Sequence, residues 1–188
     1  MNDKNSLTDI VRRYLRYLKL ERNYSSNTLD AYKHDLDYLL RFLSDRGLAP
    51  LDVKLEDLQQ FAASLHEQGL TAKSQARILS GIRSFYRYLL LDGYLEVDPT
   101  ELLESPHLPK HLPEYLTTEE VDRLEAAIDL STREGHRNRA IIEVLFSCGL
   151  RVSELTHLKM SGLYLQEHFI RVTGKGRKER LVPISDSA

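Results

Sequence analysis

A mainly α-helical fold closing in a small β-hairpin is predicted by three observations. Apolar residues recur every three or four positions up to about residue 150. After Leu163 the period shortens toward two, with short apolar runs divided by polar turns. Between these patterns, Pro99, Pro106, Pro109 and Pro113 remove backbone donors and disfavour helix before themselves. The chain therefore divides into a helical domain over 1–97, a linker over 98–113 and an α+β part over 114–188.

The first predicted helix covers about 6–21, where Leu7, Ile10, Val11, Tyr14, Leu15 and Leu18 share a face. A second starts near Ser26 or Asn27 and runs through Leu36, Leu39, Leu40 and Leu43 to Gly47. A third spans about Leu55–Gln68, with Leu58, Phe61, Ala62 and Leu65 inside and Gly69 at its end. Thr71 caps a fourth, with Ser74 three residues on and Ile78, Ile82, Phe85 and Leu89 on its inner face, until Gly93 stops it.

Helix resumes after the linker. Thr117 and Glu120 have the spacing of a capping box, and Val121, Leu124 and Ile128 define an inner face. Another helix covers about 137–148 through Ala140, Ile141, Val144 and Leu145, and a short one covers 151–158. Leu163, Leu165, Phe169, Ile170, Val172, Leu181 and Val182 then predict two or three short strands, with turns at Gln166-Glu167 and Gly174–Arg177.

Composition narrows the function classes. Of the 188 residues, 41% are hydrophobic and 29% charged, ordinary values for a globular protein. No apolar run reaches membrane-spanning length and the N-terminus lacks a signal-peptide layout, so a cytoplasmic protein with no membrane partner is expected. One cysteine, Cys148, allows no intramolecular disulfide. His107 and His111 are four apart, but Pro109 between them breaks the helix that metal binding would need, and Asp35 and Asp37 face apart. No metal or cofactor is expected.

Net charge is −2, yet residues 171–180 carry five basic side chains and one acidic. Such clustering suits a focused phosphate-binding surface, although a short basic cluster is commonly only a solvated face. Two segments in this region carry chemistry. Ser147-Cys148-Gly149-Leu150-Arg151-Val152-Ser153-Glu154-Leu155 places Arg151 after a glycine turn, with Glu154 one helical turn on. Gly174-Lys175-Gly176-Arg177-Lys178-Glu179-Arg180 sets Lys175 between two glycines in a basic turn. An arginine can hold two phosphate oxygens in one planar fork and keeps its charge. A lysine between glycines can approach a phosphate closely and donate a proton. The Gly-Lys-Gly turn is no nucleotide P-loop, since it lacks the Gly-Lys-Ser/Thr ending and a strand–loop–helix frame.

These two segments resemble the first catalytic motifs of the tyrosine site-specific recombinases, most closely those of Xer type. The likeness extends over nearly the whole chain: Asn23–Tyr32 with Asp35-Leu36, Ile78–Tyr86, and Thr117–Val121 are similar to further segments of that family. The resemblance implies a SAM-like helical core-binding domain followed by a mixed catalytic domain, closing on DNA from opposite sides. It implies Arg151 and Lys175 as catalytic residues, with Glu154 orienting the arginine. It implies DNA contact by Thr71, Lys73, Ser74 and Arg77 at the start of the fourth helix, and by Arg177, Lys178 and Arg180. The implied reaction is strand cleavage and rejoining through a 3′-phosphotyrosyl intermediate, needing neither ATP nor metal. The implied partners are a double-stranded recombination site and a tetramer of recombinases, with no small-molecule substrate.

The chain departs from the family pattern in two respects. Gly162 stands where Xer-type sequences usually carry aspartate. The family's His-x-x-Arg and nucleophilic tyrosine, which lie beyond the second motif, have no counterpart in the 188 residues, and Tyr164 is better read as packing the hairpin. The chain is accordingly expected to be an N-terminal portion that binds DNA and is inactive alone. Two other readings stay open: a non-catalytic DNA-binding regulator, and an integrase of a phage or mobile element instead of a chromosome-dimer resolvase. A helical protein-interaction module that ignores DNA is a weaker third, against which the Arg151 and Lys175 pairing argues.

Overall fold

Four helices follow the first four apolar stripes: α1 Leu7–Leu20, α2 Ser26–Asp45, α3 Leu55–Glu67 and α4 Ala72–Leu91. The computed structural model describes residues 7–109, 112–174, 176 and 178–185, and the chain divides into two units after His111. Lys175, Arg177 and His111 lie outside the described residues. Ser25 caps α2 by accepting from the Thr28 amide at 3.3 Å, and Thr71 caps α4 by accepting from Ser74 at 3.2 Å. Gly47, Gly69 and Gly93 leave α2, α3 and α4 in the left-handed conformation that glycine adopts without strain.

The core of the first unit is the meeting of those stripes. Ile10, Tyr14 and Leu18 of α1, Leu36, Leu39 and Leu43 of α2, Leu58, Phe61 and Leu65 of α3, and Ile78, Ile82, Phe85 and Leu89 of α4 are all buried. Tyr14 packs edge-on against Phe85, ring centres 5.3 Å apart, and satisfies its hydroxyl by donating to Ser84 Oγ at 2.9 Å. One charged side chain lies within this helical interior. Asp35 of α2 is buried, against Gly81 of α4.

The expected linker 98–113 does not begin where its first proline stands. Asp98 Oδ1 accepts from the Thr100 amide at 2.8 Å and hydroxyl at 2.6 Å, closing a turn. Leu103 is buried in the first unit's core, and Arg83 of α4 donates to the Leu103 carbonyl and, at 2.9 Å, to Ser105 Oγ. Apolar burial and a two-pronged arginine thus tie the start of this segment to the first unit although it forms no helix. Limited chymotryptic digestion should therefore cut first at exposed Leu108, Leu112 or Tyr115. First cuts at Leu95 or Leu103 would contradict this anchoring.

In the second unit, α5 Thr118–Ala126 opens on the predicted box. The Glu120 amide donates to Thr117 Oγ1 at 3.3 Å and the Thr117 amide to Glu120 Oε2 at 2.9 Å. Helix α6, Arg133–Cys148, starts four residues before the predicted boundary because Thr132 caps it, accepting from Gly135 at 3.0 Å. Gly135 is tucked so close to the Asp129 carbonyl that a Cβ would lie 1.8 Å from it. Val121 is buried as predicted, but Leu124, Ala140 and Ile141 of the expected inner faces are exposed, with no described element packed over them.

Helix α7, Val152–Thr156, leads into strands β1 Leu163–Tyr164, β2 Phe169–Thr173 and β3 Glu179–Pro183. They form an antiparallel sheet in the order β1-β2-β3, with Ile170 opposite Leu163 and Val182, and Val172 opposite Arg180. Ile170 and Val172 point inward, joining Cys148 and Leu150 in a small core. Leu165, expected in a strand, lies in a 3₁₀ turn that ends at His168 in the left-handed conformation. Tyr164 stacks on Phe169 at 4.7 Å between ring centres, so it does pack the hairpin. Gly162 is buried, and a Cβ there would come within 2.9 Å of the Arg171 carbonyl. Among the described residues, no helix is long and apolar enough to cross a membrane.

Candidate DNA-processing site

Gly149 ends α6 in the left-handed conformation, φ +58°, and turns the chain so that Leu150 enters the core and Arg151 faces outward. Arg151 is the N-cap of α7, and Glu154 lies one turn on. Glu154 is the centre of the site, at 3% exposure. Its Oε2 accepts from the Arg151 amide at 2.9 Å, and its Oε1 accepts from Arg151 Nη1 at 3.0 Å. Arg180, reaching over from β3, donates Nη1 to Oε1 at 2.5 Å and Nη2 to Oε2 at 2.9 Å. This two-pronged fork is the strongest geometry open to an arginine and a carboxylate.

The sequence therefore identified Glu154 and Arg151 as a pair, and the structure adds a third member. Arg180, expected with its neighbours to face DNA, places both terminal nitrogens on Glu154. The reason is the register of the hairpin. Arg180 lies opposite Val172, and Gly174 leaves the space between strand and helix open. A Cβ on Gly174 would lie 3.1 Å from Glu154 Oε1 and 3.3 Å from Arg180 Nη1. The Gly174 amide donates to the Lys178 carbonyl at 2.8 Å, next to the paired ends of β2 and β3.

Two guanidiniums around one carboxylate leave one net positive charge, and the Arg151 side chain is 70% exposed. A fixed, outward-facing guanidinium in a net positive site can hold a phosphate. The start of α7 adds little to this. That helix has five residues, and the amide of its N-cap, Arg151, is already taken by Glu154.

The Arg180 fork, then the Arg151 amide, hold the Glu154 carboxyl at about 2, well below its ordinary range. A depressed carboxyl contributes stability that is fully present above its unfolded value of about 4.3 and is lost as pH falls through its folded value. Amide exchange in α7 and β3 should thus stay protected at pH 5 and lose protection between roughly pH 4 and pH 2. Glu154→Gln should abolish that step. An identical acid profile in the variant would show that Glu154 does not anchor the hairpin.

At the other candidate surface, Lys73, Arg77 and Ser80 form one exposed stripe along the first turns of α4. Thr71 Oγ1 donates to Ser74 Oγ at 3.0 Å, so the hydroxyls of Thr71 and Ser74 are partly engaged in capping. Lys73 has no ion-pair partner among the described residues, whereas Arg77 Nη1 lies 2.6 Å from Asp35 Oδ1. Asp35, which the sequence offers as part of the family-like segment and as a poor metal ligand, is thus the partner of Arg77, a contact that residue spacing does not reveal. A signal was present: a carboxylate on the Tyr32–Leu36–Leu39 stripe, across from a glycine on the α4 stripe.

A helical unit is thus followed by a mixed unit in which one carboxylate holds two arginines. Residues 11–93 match the phage integrase N-terminal SAM-like domain, and residues 114–188 match the phage integrase family. Tyrosine recombinase XerD of Staphylococcus aureus (strain Mu50 / ATCC 700699) is 40% identical over 179 residues, covering 95% of this chain and 61% of that protein. XerD of Staphylococcus haemolyticus (strain JCSC1435) is 38% identical over the same coverage. A lambda integrase(75-356) dimer bound to a COC′ core site has a TM-score of 0.75 at 22% identity, covering 94% of this chain and 62% of that one; it is similar in fold. The chain belongs to the phage integrase (tyrosine recombinase) family, whose two models together match most of its length, and its sequence is similar to the XerD relatives. It spans 61% of the length of these XerD relatives.

Proposed function

We propose that this chain is the DNA-binding portion, and the first part of the active site, of a site-specific tyrosine recombinase acting on double-stranded DNA in the cytoplasm. The observation that carries this reading is the Glu154 assembly, with Arg151 held facing outward by a carboxylate that Arg180 fixes from behind. Arg151 clamps the non-bridging oxygens of the scissile phosphate, where negative charge builds during transesterification. Lys175 protonates the departing 5′ oxygen. Glu154 and Arg180 position Arg151 without touching DNA. The covalent step is the attack of a tyrosine on phosphorus, forming a 3′-phosphotyrosyl bond that conserves the energy for rejoining. Assembly of such protomers as a tetramer on two sites completes strand exchange. No metal or cofactor enters these steps.

Fluorescence anisotropy with duplex DNA at several salt concentrations tests the binding half. The chain should bind, with affinity falling linearly in log–log form, and Lys73→Ala should weaken binding and reduce the salt slope by about one. A nicked duplex that traps covalent adducts tests the chemistry. Because Tyr164 is stacked into the hairpin, and the family nucleophile has no counterpart in these 188 residues, no adduct should form. Salt-independent binding would overturn the DNA reading. A covalent adduct formed by this chain would overturn the assignment of roles.

A further inference from the structure

We infer that Arg77 is a base-reading residue held in place by the buried Asp35, and that Lys73, one turn earlier on the same stripe, contacts phosphate. This division of labour rests on the DNA reading above. It follows from the unequal surroundings of two cations that the sequence alone treats alike.

Asp35 projects from α2 into the interface with α4, its side chain 4% exposed. It reaches this position only because residue 81 is glycine. A Cβ there would lie 2.6 Å from Asp35 Oδ2 and 2.9 Å from Asp35 Cβ. Burial pushes the Asp35 carboxyl above its ordinary value, and the nearby Arg77 guanidinium pulls it back down. A carboxylate in such a place is costly unless it is paired. Arg77 Nη1, at 2.6 Å from Oδ1, is the paired cation, although the same oxygen has no partner of hydrogen-bond geometry among the described residues.

The pairing changes what Arg77 can offer DNA. A phosphate contact draws on net charge, and Asp35 cancels most of the charge that Arg77 carries. What remains is direction. The side chain is still 48% exposed, and one of its terminal nitrogens is held against Asp35, which leaves the other donors of the planar group free to contact DNA. A largely neutralised guanidinium tethered at one nitrogen suits the paired acceptors O6 and N7 of guanine in the major groove, which discriminate sequence more than they add affinity. Lys73 is exposed and lacks an ion pair among the described residues, so its charge is available to the backbone.

The test uses a library of randomised duplexes, retained by the 188-residue chain and sequenced. The parent chain should enrich guanine at one position of the bound site. Arg77→Ala and Arg77→Lys should both lose that preference, the lysine because it keeps the charge but not the fork. Asp35→Asn should lose the same preference, and Gly81→Ala, which displaces Asp35 while leaving the charge intact, should do likewise. Lys73→Ala should keep the preference, bind all duplexes more weakly and show the smaller salt slope. Helical circular dichroism and thermal unfolding of each variant identify any that fail to fold. If Asp35→Asn and Gly81→Ala both fold and retain the guanine preference, the positioning role is overturned. If Arg77→Ala instead lowers the salt slope as Lys73→Ala does, Arg77 is a phosphate contact. If the parent chain binds duplexes but enriches no base, this inference falls while the DNA reading stands. If it retains no duplex at all, both fall.

Discussion

Phe85→Ala is expected to unfold the first unit under conditions where the parent chain is stable. Phe85 is fully buried at the centre of the helical core, edge-on to Tyr14 at 5.3 Å and to Tyr86 at 5.6 Å. Removing a buried phenyl ring loses its transfer free energy and leaves a cavity that rigid helices cannot close, about 3–5 kcal/mol. For a unit of this size that corresponds to a fall in melting temperature on the order of 20 °C. Duplex binding should disappear with it, since α4 carries both Phe85 and the Lys73–Arg77 stripe. Scanning calorimetry of the variant should show the loss in the transition of the first unit. A shift of less than a few degrees would mean that the helices repack around the gap.

The second large effect concerns Arg151. In a cleavage-competent form of the protein, Arg151→Ala should slow single-turnover strand cleavage by about 10²–10³-fold, the range for loss of one charge-stabilising donor in a transition state. DNA affinity should change far less, because the clamp is needed where charge builds, not where it already exists. Arg180→Ala should also slow cleavage, with a smaller effect, because Arg180 acts through Glu154. Combining Arg180→Ala with Glu154→Ala should add little to Glu154→Ala alone. Full additivity would mean that Arg180 meets the DNA itself. Retention of cleavage within tenfold in Arg151→Ala would remove it from the chemistry.

The helices of the first unit were legible because burial alone decides them. Each apolar stripe is regular, the hydroxyls of Ser25 and Thr71 cap α2 and α4, and Gly47, Gly69 and Gly93 end α2, α3 and α4. The Arg151–Glu154 pair was legible for another reason: the two residues interact within one turn, just after the turn at Gly149, so their spacing is their geometry. Interactions that span the sequence were hidden. Glu154 and Arg180 are 26 residues apart and meet only because the hairpin pairs Val172 with Arg180. Asp35 and Arg77 meet across two packed helices, and neither residue's neighbours announce the other. The early start of α6 was obscured by a polar, glycine-bearing segment whose helicity comes from the Thr132 cap. The exposure of Leu124 and Ile141 was equally invisible, because periodicity predicts a face without saying what covers it.

Gly162 limits how freely pieces of this protein could be exchanged with those of its relatives. With the backbone this close to the Arg171 carbonyl, any side chain installed at 162 must push β2 aside or twist the turn before it. Strand β2 sets the position of β3, and β3 delivers Arg180 to Glu154. A graft at one inconspicuous position would thus be transmitted, strand by strand, through Arg180 and Glu154 to Arg151. In a cleavage-competent form of the protein, chimeras joined between 162 and 180 should lose strand cleavage even when every reacting residue is retained, whereas junctions placed outside the hairpin should be tolerated.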